Sequence, residues 1–145
     1  MKANRLSEAI EKFVRATQMD TTNDRAFLYW GLTLGMQGRF DQAITKYKTV
    51  VNIDPENSNA YAYWGQALYE LENYAEAIEI LKKSLAVNPF NEEAYPILVR
   101  SYYELQDYTR AWDVVDKARA ANVTLSSDLL NRLREARPEP EKTQN

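Results

Sequence analysis

The sequence predicts an all-α solenoid, built from helical hairpins stacked side by side. Three observations carry this expectation. The chain matches itself at a spacing of 34 residues: Phe27, Trp30, Gly31, Leu34, Ala43, Tyr47 and Pro55 return as Tyr61, Trp64, Gly65, Leu68, Ala77, Leu81 and Pro89. They return again, more loosely, as Tyr95, Leu98, Val99, Tyr102, Ala111, Val115 and Val123. A fixed period in this range marks units that bury their apolar faces only against their neighbours. Apolar residues also step by three and four throughout, which is the period of helices and leaves no credible strand. Finally, helix-capping Asn, Asp and Ser residues and the helix-stopping prolines fall between those apolar runs.

The elements follow in order. Residues 5–18 form a lone second helix of a unit, because Leu6, Ala9, Phe13 and Ala16 fall in register with Phe40, Ala43, Tyr47 and Val50. In the first full unit, residues 24–57, helix A runs from about Arg25 to Met36 behind the caps Asn23 and Asp24. Its helix B runs from about Phe40 to Ile53 and stops before Asp54 and Pro55. In the second unit, residues 58–91, Asn57 and Ser58 cap helix A, Asn73 marks the turn, and helix B ends before Asn88 and Pro89. In the third, residues 92–125, Asn91 caps a helix opened by Glu92 and Glu93, whose charges suit the N-terminal end of the helix dipole. Asp107 then caps a last helix B that runs to about Ala121. A short helix, residues 126–136, closes the stack, with Leu129, Leu130 and Leu133 facing inward and Asn131, Arg132, Arg134 and Glu135 facing water. Residues 1–136 are thus one solenoid, and residues 137–145, with Pro138 and Pro140, are expected to be a disordered tail.

Composition narrows the function. A length of 145 residues, 45% hydrophobic, is enough for a single domain with a substantial core. The net charge of −3 supplies no basic footprint for nucleic acid. With no cysteine and no histidine, the chain lacks the usual thiolate nucleophile, the commonest general base and the commonest transition-metal ligands. No catalytic group, metal or cofactor is expected. The acidic pairs Glu92 with Glu93, Glu70 with Glu72, and Asp113 with Asp116 are explained by caps and solvated faces. Residues 1–19 are charged and amphipathic, unlike a secretory signal, and the longest apolar run, residues 26–36, is far shorter than a bilayer span of about 20 residues. No direct membrane insertion is expected. A cytoplasmic location is the default expectation, with the periplasm or a piece of a larger exported protein as alternatives.

The 34-residue pattern resembles the tetratricopeptide repeat: an aromatic, Trp or Leu before Gly, Leu or Tyr, Ala, a second aromatic, and a closing Pro. It is complete in residues 24–57 and 58–91, degraded in 92–125, and halved in 1–23. Gly31, Gly65, Ala43, Ala77 and Ala111 are small where helix axes approach, while Trp30, Trp64, Phe27, Tyr61 and Tyr95 fill the space between paired helices. Val99 departs from the usual glycine or alanine and Val123 from the usual proline, so the third unit should pack differently.

The resemblance implies a right-handed superhelix whose concave face, lined by helices A, holds a peptide or helix of a partner protein. Carried over by position, the groove comprises Arg25, Leu28, Tyr29, Leu32 and Met36, then Asn59, Ala62, Tyr63, Gln66, Tyr69 and Glu70, then Glu93, Ile97, Arg100, Tyr103 and Glu104. Tyrosines give large contact area at small entropic cost, and Arg, Asn and Gln can bond a peptide's carboxylates and backbone. Family members that grip the acidic tails of chaperones use a Lys/Asn/Arg cluster. The matching positions here are Leu28, Leu32, Tyr63, Glu93 and Ile97, so a chaperone-tail clamp is not expected. The function implied is a non-catalytic protein-interaction module or scaffold. The alternative is a homo-oligomer: residues 26–36 are apolar nearly all round, as if a neighbouring helix were missing. Ile10, Phe13, Leu28 and Leu32 are then expected to form an adhesive N-terminal edge.

Overall fold

A computed structural model describes residues 2–142, and among them the secondary structure is helical throughout. Eight helices follow one another: α1 (Lys2–Met19), α2 (Asp24–Met36), α3 (Phe40–Ile53), α4 (Ser58–Glu70), α5 (Tyr74–Val87), α6 (Ala94–Glu104), α7 (Tyr108–Ala120) and α8 (Ser127–Ala136). Each of the first seven packs on the next in the chain, α2 touches α4, α4 touches α6, and α8 rests on both α6 and α7. This is the stacking of a solenoid: α2, α4 and α6 form one layer and α3, α5 and α7 the other.

Local chemistry sets the boundaries. Asn23 and Asn57 each accept a hydrogen bond from the backbone three residues on, at Ala26 N and Ala60 N, both 3.0 Å. The turns from helix A to helix B are also periodic: Gly38, Glu72 and Gln106 all adopt positive φ, at 74°, 60° and 58°. Glycine takes that conformation freely, whereas Glu72 and Gln106 hold it against the usual side-chain clash. One boundary differs from expectation. Asn91 does cap, accepting from Glu93 N and Ala94 N, but Glu92 and Glu93 lie in a turn and α6 begins at Ala94. Pro96 is the reason: it has no N–H to give to the Glu92 carbonyl, so the first helical bond cannot form there.

The core explains the departures in the third unit. A Cβ on Gly31 would sit 2.5 Å from Tyr47 Cε1, and one on Gly65 would sit 2.5 Å from Leu81 Cγ. Those approaches require glycine. In the third unit Val99 and Val115 occupy the same two positions, both fully buried. As the helix A residue grows from Gly to Val, its partner shrinks from Tyr through Leu to Val, and close packing is kept.

Residues 137–142 are not helical, and they run back along α7. Arg137 O accepts from Trp112 Nε1 at 3.1 Å, Glu139 pairs with Arg119 and Arg134, and Lys142 Nζ lies 3.6 Å from Asp116. The remainder of the expected tail, residues 143–145, lies outside the described residues.

Candidate interaction surface

The three helices A bring most of the expected groove residues onto one face. Arg25, Tyr29 and Met36 of α2, Asn59, Gln66 and Glu70 of α4, and Arg100 and Glu104 of α6 are exposed, as is Glu93 just before α6. Leu28, Leu32, Tyr63, Tyr69 and Tyr103 are half-buried among them. Two expected positions are sealed: Ala62 is fully buried and Ile97 is 7% exposed, because α4 and α6 meet there.

The face is a row of aromatic rings. Tyr63 lies against Tyr47 with centroids 6.1 Å apart, Tyr69 against Tyr74 at 5.3 Å, and Tyr103 against Tyr108 at 5.6 Å. Each groove tyrosine is therefore propped by an aromatic residue of a helix B. Such contacts fix ring orientation before any ligand arrives. Tyr29 is propped in the same way as Tyr63, stacked on Phe13 of α1 at 6.1 Å, one repeat earlier than the Tyr47–Tyr63 pair. Burial pushes the phenols of Tyr63 and Tyr69 above their usual range, helped by Glu93 and Glu104 respectively. Both remain neutral hydrogen-bonding groups at physiological pH. Asn59 is partly engaged already, its Oδ1 accepting from Asn91 Nδ2 at 3.0 Å.

Two clefts open along this row. One, of about 340 Å³, lies between α2 and α4 and is bounded by Leu32, Met36, Tyr63, Gln66 and Glu70. The other, of about 330 Å³, is bounded by Tyr69, Arg100, Tyr103 and Glu104, with Asp128 and Arg132 of α8. The second cleft shows what sequence reasoning missed. The sequence assigns Arg132 only to keeping the closing helix wet, and gives Asp128, within residues 126–136, no role at all. Both instead line the end of this cleft, with charges of opposite sign. Their spacing of four residues on one helix face was the available signal.

The N-terminal edge is less bare than the sequence suggests. Ile10, Phe13, Leu28 and Leu32 are all half-buried. The exposed positions of α1 include the charged Lys2, Arg5, Glu8, Glu11, Lys12 and Arg15, together with Ala3, Asn4, Ser7, Gln18 and Met19. The apolar surround expected for α2 is supplied by α1, α3 and α4.

Comparison with known proteins agrees with this geometry. The model of the tetratricopeptide repeat family matches residues 36–96. No curated protein matches the chain in sequence. Among solved structures, the chain is similar to a crystal structure of the MamA protein, with a TM-score of 0.74 at 23% identity. The match covers 83% of this chain and 66% of that one. It is also similar to the TPR2B domain of yeast Sti1 in a complex with pHsp70 (TM-score 0.71, 20% identity, 78% of this chain and 94% of that one). A third is the first tetratricopeptide repeat domain of Spaghetti (RPAP3) bound to an HSP90 peptide (TM-score 0.72, 21% identity, 81% and 92%). At these identities the likeness is one of fold.

Proposed function

We propose that this chain, whose residues 36–96 match the model of the tetratricopeptide repeat family, is a non-catalytic protein-interaction module that holds an extended peptide or a helix of a partner protein along α2, α4 and α6. The observation that carries this reading is the propped tyrosine row Tyr29, Tyr63, Tyr69 and Tyr103, flanked by Arg25, Asn59, Gln66 and Arg100. Rigid aromatic anchors supply most of the affinity in such an interface, and the amides and guanidinium groups fix the register. The heat-shock peptides carried by two of the similar structures are a poor guide to the ligand. Leu28, Leu32, Glu93 and Ile97 offer no cation or amide where a terminal carboxylate would sit. The groove instead suits a segment with apolar side chains for the Leu32–Met36 cleft and a charged or polar residue for Arg100 and Arg132.

Assembly of copies through the N-terminal edge has less to work with, since Ile10 and Phe13 already pack inward and α1 turns charge outward. The deciding experiment compares wild type with the double variant Tyr63→Ala, Gln66→Ala in affinity capture from the source lysate. Binding of the recovered partner is then measured by titration calorimetry. The double variant should lose the partner at least tenfold while its helical signal is unchanged. Equal binding by wild type and variant would refute a groove-based function. Light scattering at micromolar concentration decides separately whether copies associate.

A further inference from the structure

A third cleft lies on the opposite side of the solenoid, among α5, α6 and α7, with a volume of about 530 Å³. Its walls are Leu85, Tyr95, Leu98, Tyr102 and Val114, with Phe90 at the mouth and Lys82 and Lys117 on the rim. The repeat explains why it is empty. Position 98 is the 34-residue equivalent of Trp30 and Trp64. In the second unit the Trp64 ring stacks on Tyr61 at 6.3 Å and at 15° between planes, with Lys48 Nζ 5.3 Å from its centroid. In the first, Trp30 stacks on Phe27 at 6.2 Å, with Lys46 Nζ 3.7 Å from the ring. The third unit keeps the companions of Trp64: Tyr95 stands for Tyr61, and Lys82 stands for Lys48. The indole is replaced by the smaller Leu98, and the larger Tyr102 and Leu85 in place of Leu68 and Val51 take up part of its space without closing the cleft.

We propose that this cleft is a second docking site, on the helix B face, for an indole side chain carried on an acidic segment of a partner protein. The chain itself shows the occupant twice, as Trp30 and Trp64. An indole entering from outside meets Lys82 for a cation–π contact and the edge of Tyr95, which is itself only 4% exposed. Phe90, 65% exposed, stands beside the mouth and is covered by the incoming segment. The acidic character follows from the rim. Lys82 and Lys117 are both exposed, and Lys82 meets Glu79 only at 4.0 Å. Exposed lysines beside an apolar cleft favour carboxylates flanking the anchor and speed its capture. This site is independent of the tyrosine groove, so a single partner with two segments, or two partners, can engage both faces.

The test uses the full chain and a synthetic peptide, a tryptophan flanked by two aspartates on each side with blocked ends. Chemical-shift mapping should place it at Leu98, Phe90 and Val114 and not at Tyr63 or Tyr69. Leu98→Trp fills the cleft with the repeat's own residue. It should abolish those shifts while the thermal midpoint stays at or above that of wild type. Lys82→Glu with Lys117→Glu, both at exposed positions, should weaken the acidic peptide at least fivefold. The same peptide with lysines in place of aspartates should bind more weakly than the acidic one. Unchanged binding by Leu98→Trp, equal binding of acidic and basic peptides, or shifts confined to the groove would each overturn the proposal. Self-association of wild type that Leu98→Trp disperses would also overturn it, assigning the cleft to a second copy.

Discussion

The three equivalent caps Asn23, Asn57 and Asn91 offer an internally controlled test of how the units are joined. All three accept from a helical N–H, at 3.0, 3.0 and 3.2 Å respectively. Only Asn91 is buried, at 4% exposure. Its Nδ2 donates to Ser58 Oγ at 2.6 Å and to Asn59 Oδ1 at 3.0 Å. Ser58 and Ser84 in turn exchange bonds through their hydroxyls and carbonyls, tying α4 to α5. The amide of Asn91 therefore links the second unit to the third. Replacing Asn23 or Asn57 by alanine removes one cap, costing about 1 kcal/mol. Asn91→Ala removes the cap and also leaves a buried Ser58 oxygen short of a donor, adding about 1–2 kcal/mol. The expected total is about 2–3 kcal/mol. Urea unfolding followed by circular dichroism, compared at equal m, reads the difference. If Asn91→Ala costs no more than Asn57→Ala within about 0.5 kcal/mol, the buried network contributes nothing beyond capping.

Two further predictions concern packing and the C-terminal segment. Gly65→Ala drives a Cβ toward Leu81 and should destabilise, overpacking costs of about 1–3 kcal/mol outweighing a helix-propensity gain of about 1 kcal/mol. Gly35→Ala, whose nearest neighbour is Tyr47 Oη at 3.7 Å, should instead stabilise by about 0.5–1 kcal/mol, and thermal melts of the pair check the opposite signs. Hydrogen bonding to Arg119, with Arg134 nearby, holds the Glu139 carboxyl below its ordinary range. The contribution of Glu139 to docking of residues 137–142 is therefore fully present above the free glutamate value of about 4.3 and is lost as pH falls through the lower bound-state value. The Trp112 indole N–H resonance should hold steady from pH 7 to 5 and move below about pH 4. Glu139→Gln should displace it at neutral pH, and an unmoved resonance in both experiments would refute the coupling.

The architecture was legible because its causes are local. A Gly at 31 and 65, an Ala at 43, 77 and 111, and a Pro at 55 and 89 each answer to one contact or one helix end. The boundaries of α3 and α5 follow from those residues alone. The start of α6 did not, although its cause, a missing proline N–H, was in the sequence. The docked segment at 137–142 was illegible for another reason. Its contacts depend on where Trp112, Asp116 and Arg119 point after α7 has been placed. The groove was half legible: register puts the tyrosines on one face, but whether Ala62 and Ile97 remain open depends on how closely α4 approaches α6.

The two changes in the third unit then differ in kind. Gly to Val at position 99 is matched by Leu to Val at 115, so packing is conserved and nothing is left over. Trp to Leu at position 98 is matched only in part, by Leu to Tyr at 102 and Val to Leu at 85, and the cleft stays open. Residues that stood around Trp64 persist as Tyr95 and Lys82, and around them is an open cleft instead of a filled one. A core that drifts under packing constraints alone closes its voids, because lost contacts cost stability in proportion to the space left. A void that keeps the lining of its former occupant, and opens to solvent beside two lysines, is better explained by an occupant that arrives from outside. The groove and the cleft then divide the work. The groove has preset aromatic rings and broad reach, and the cleft adds one narrow requirement, an indole.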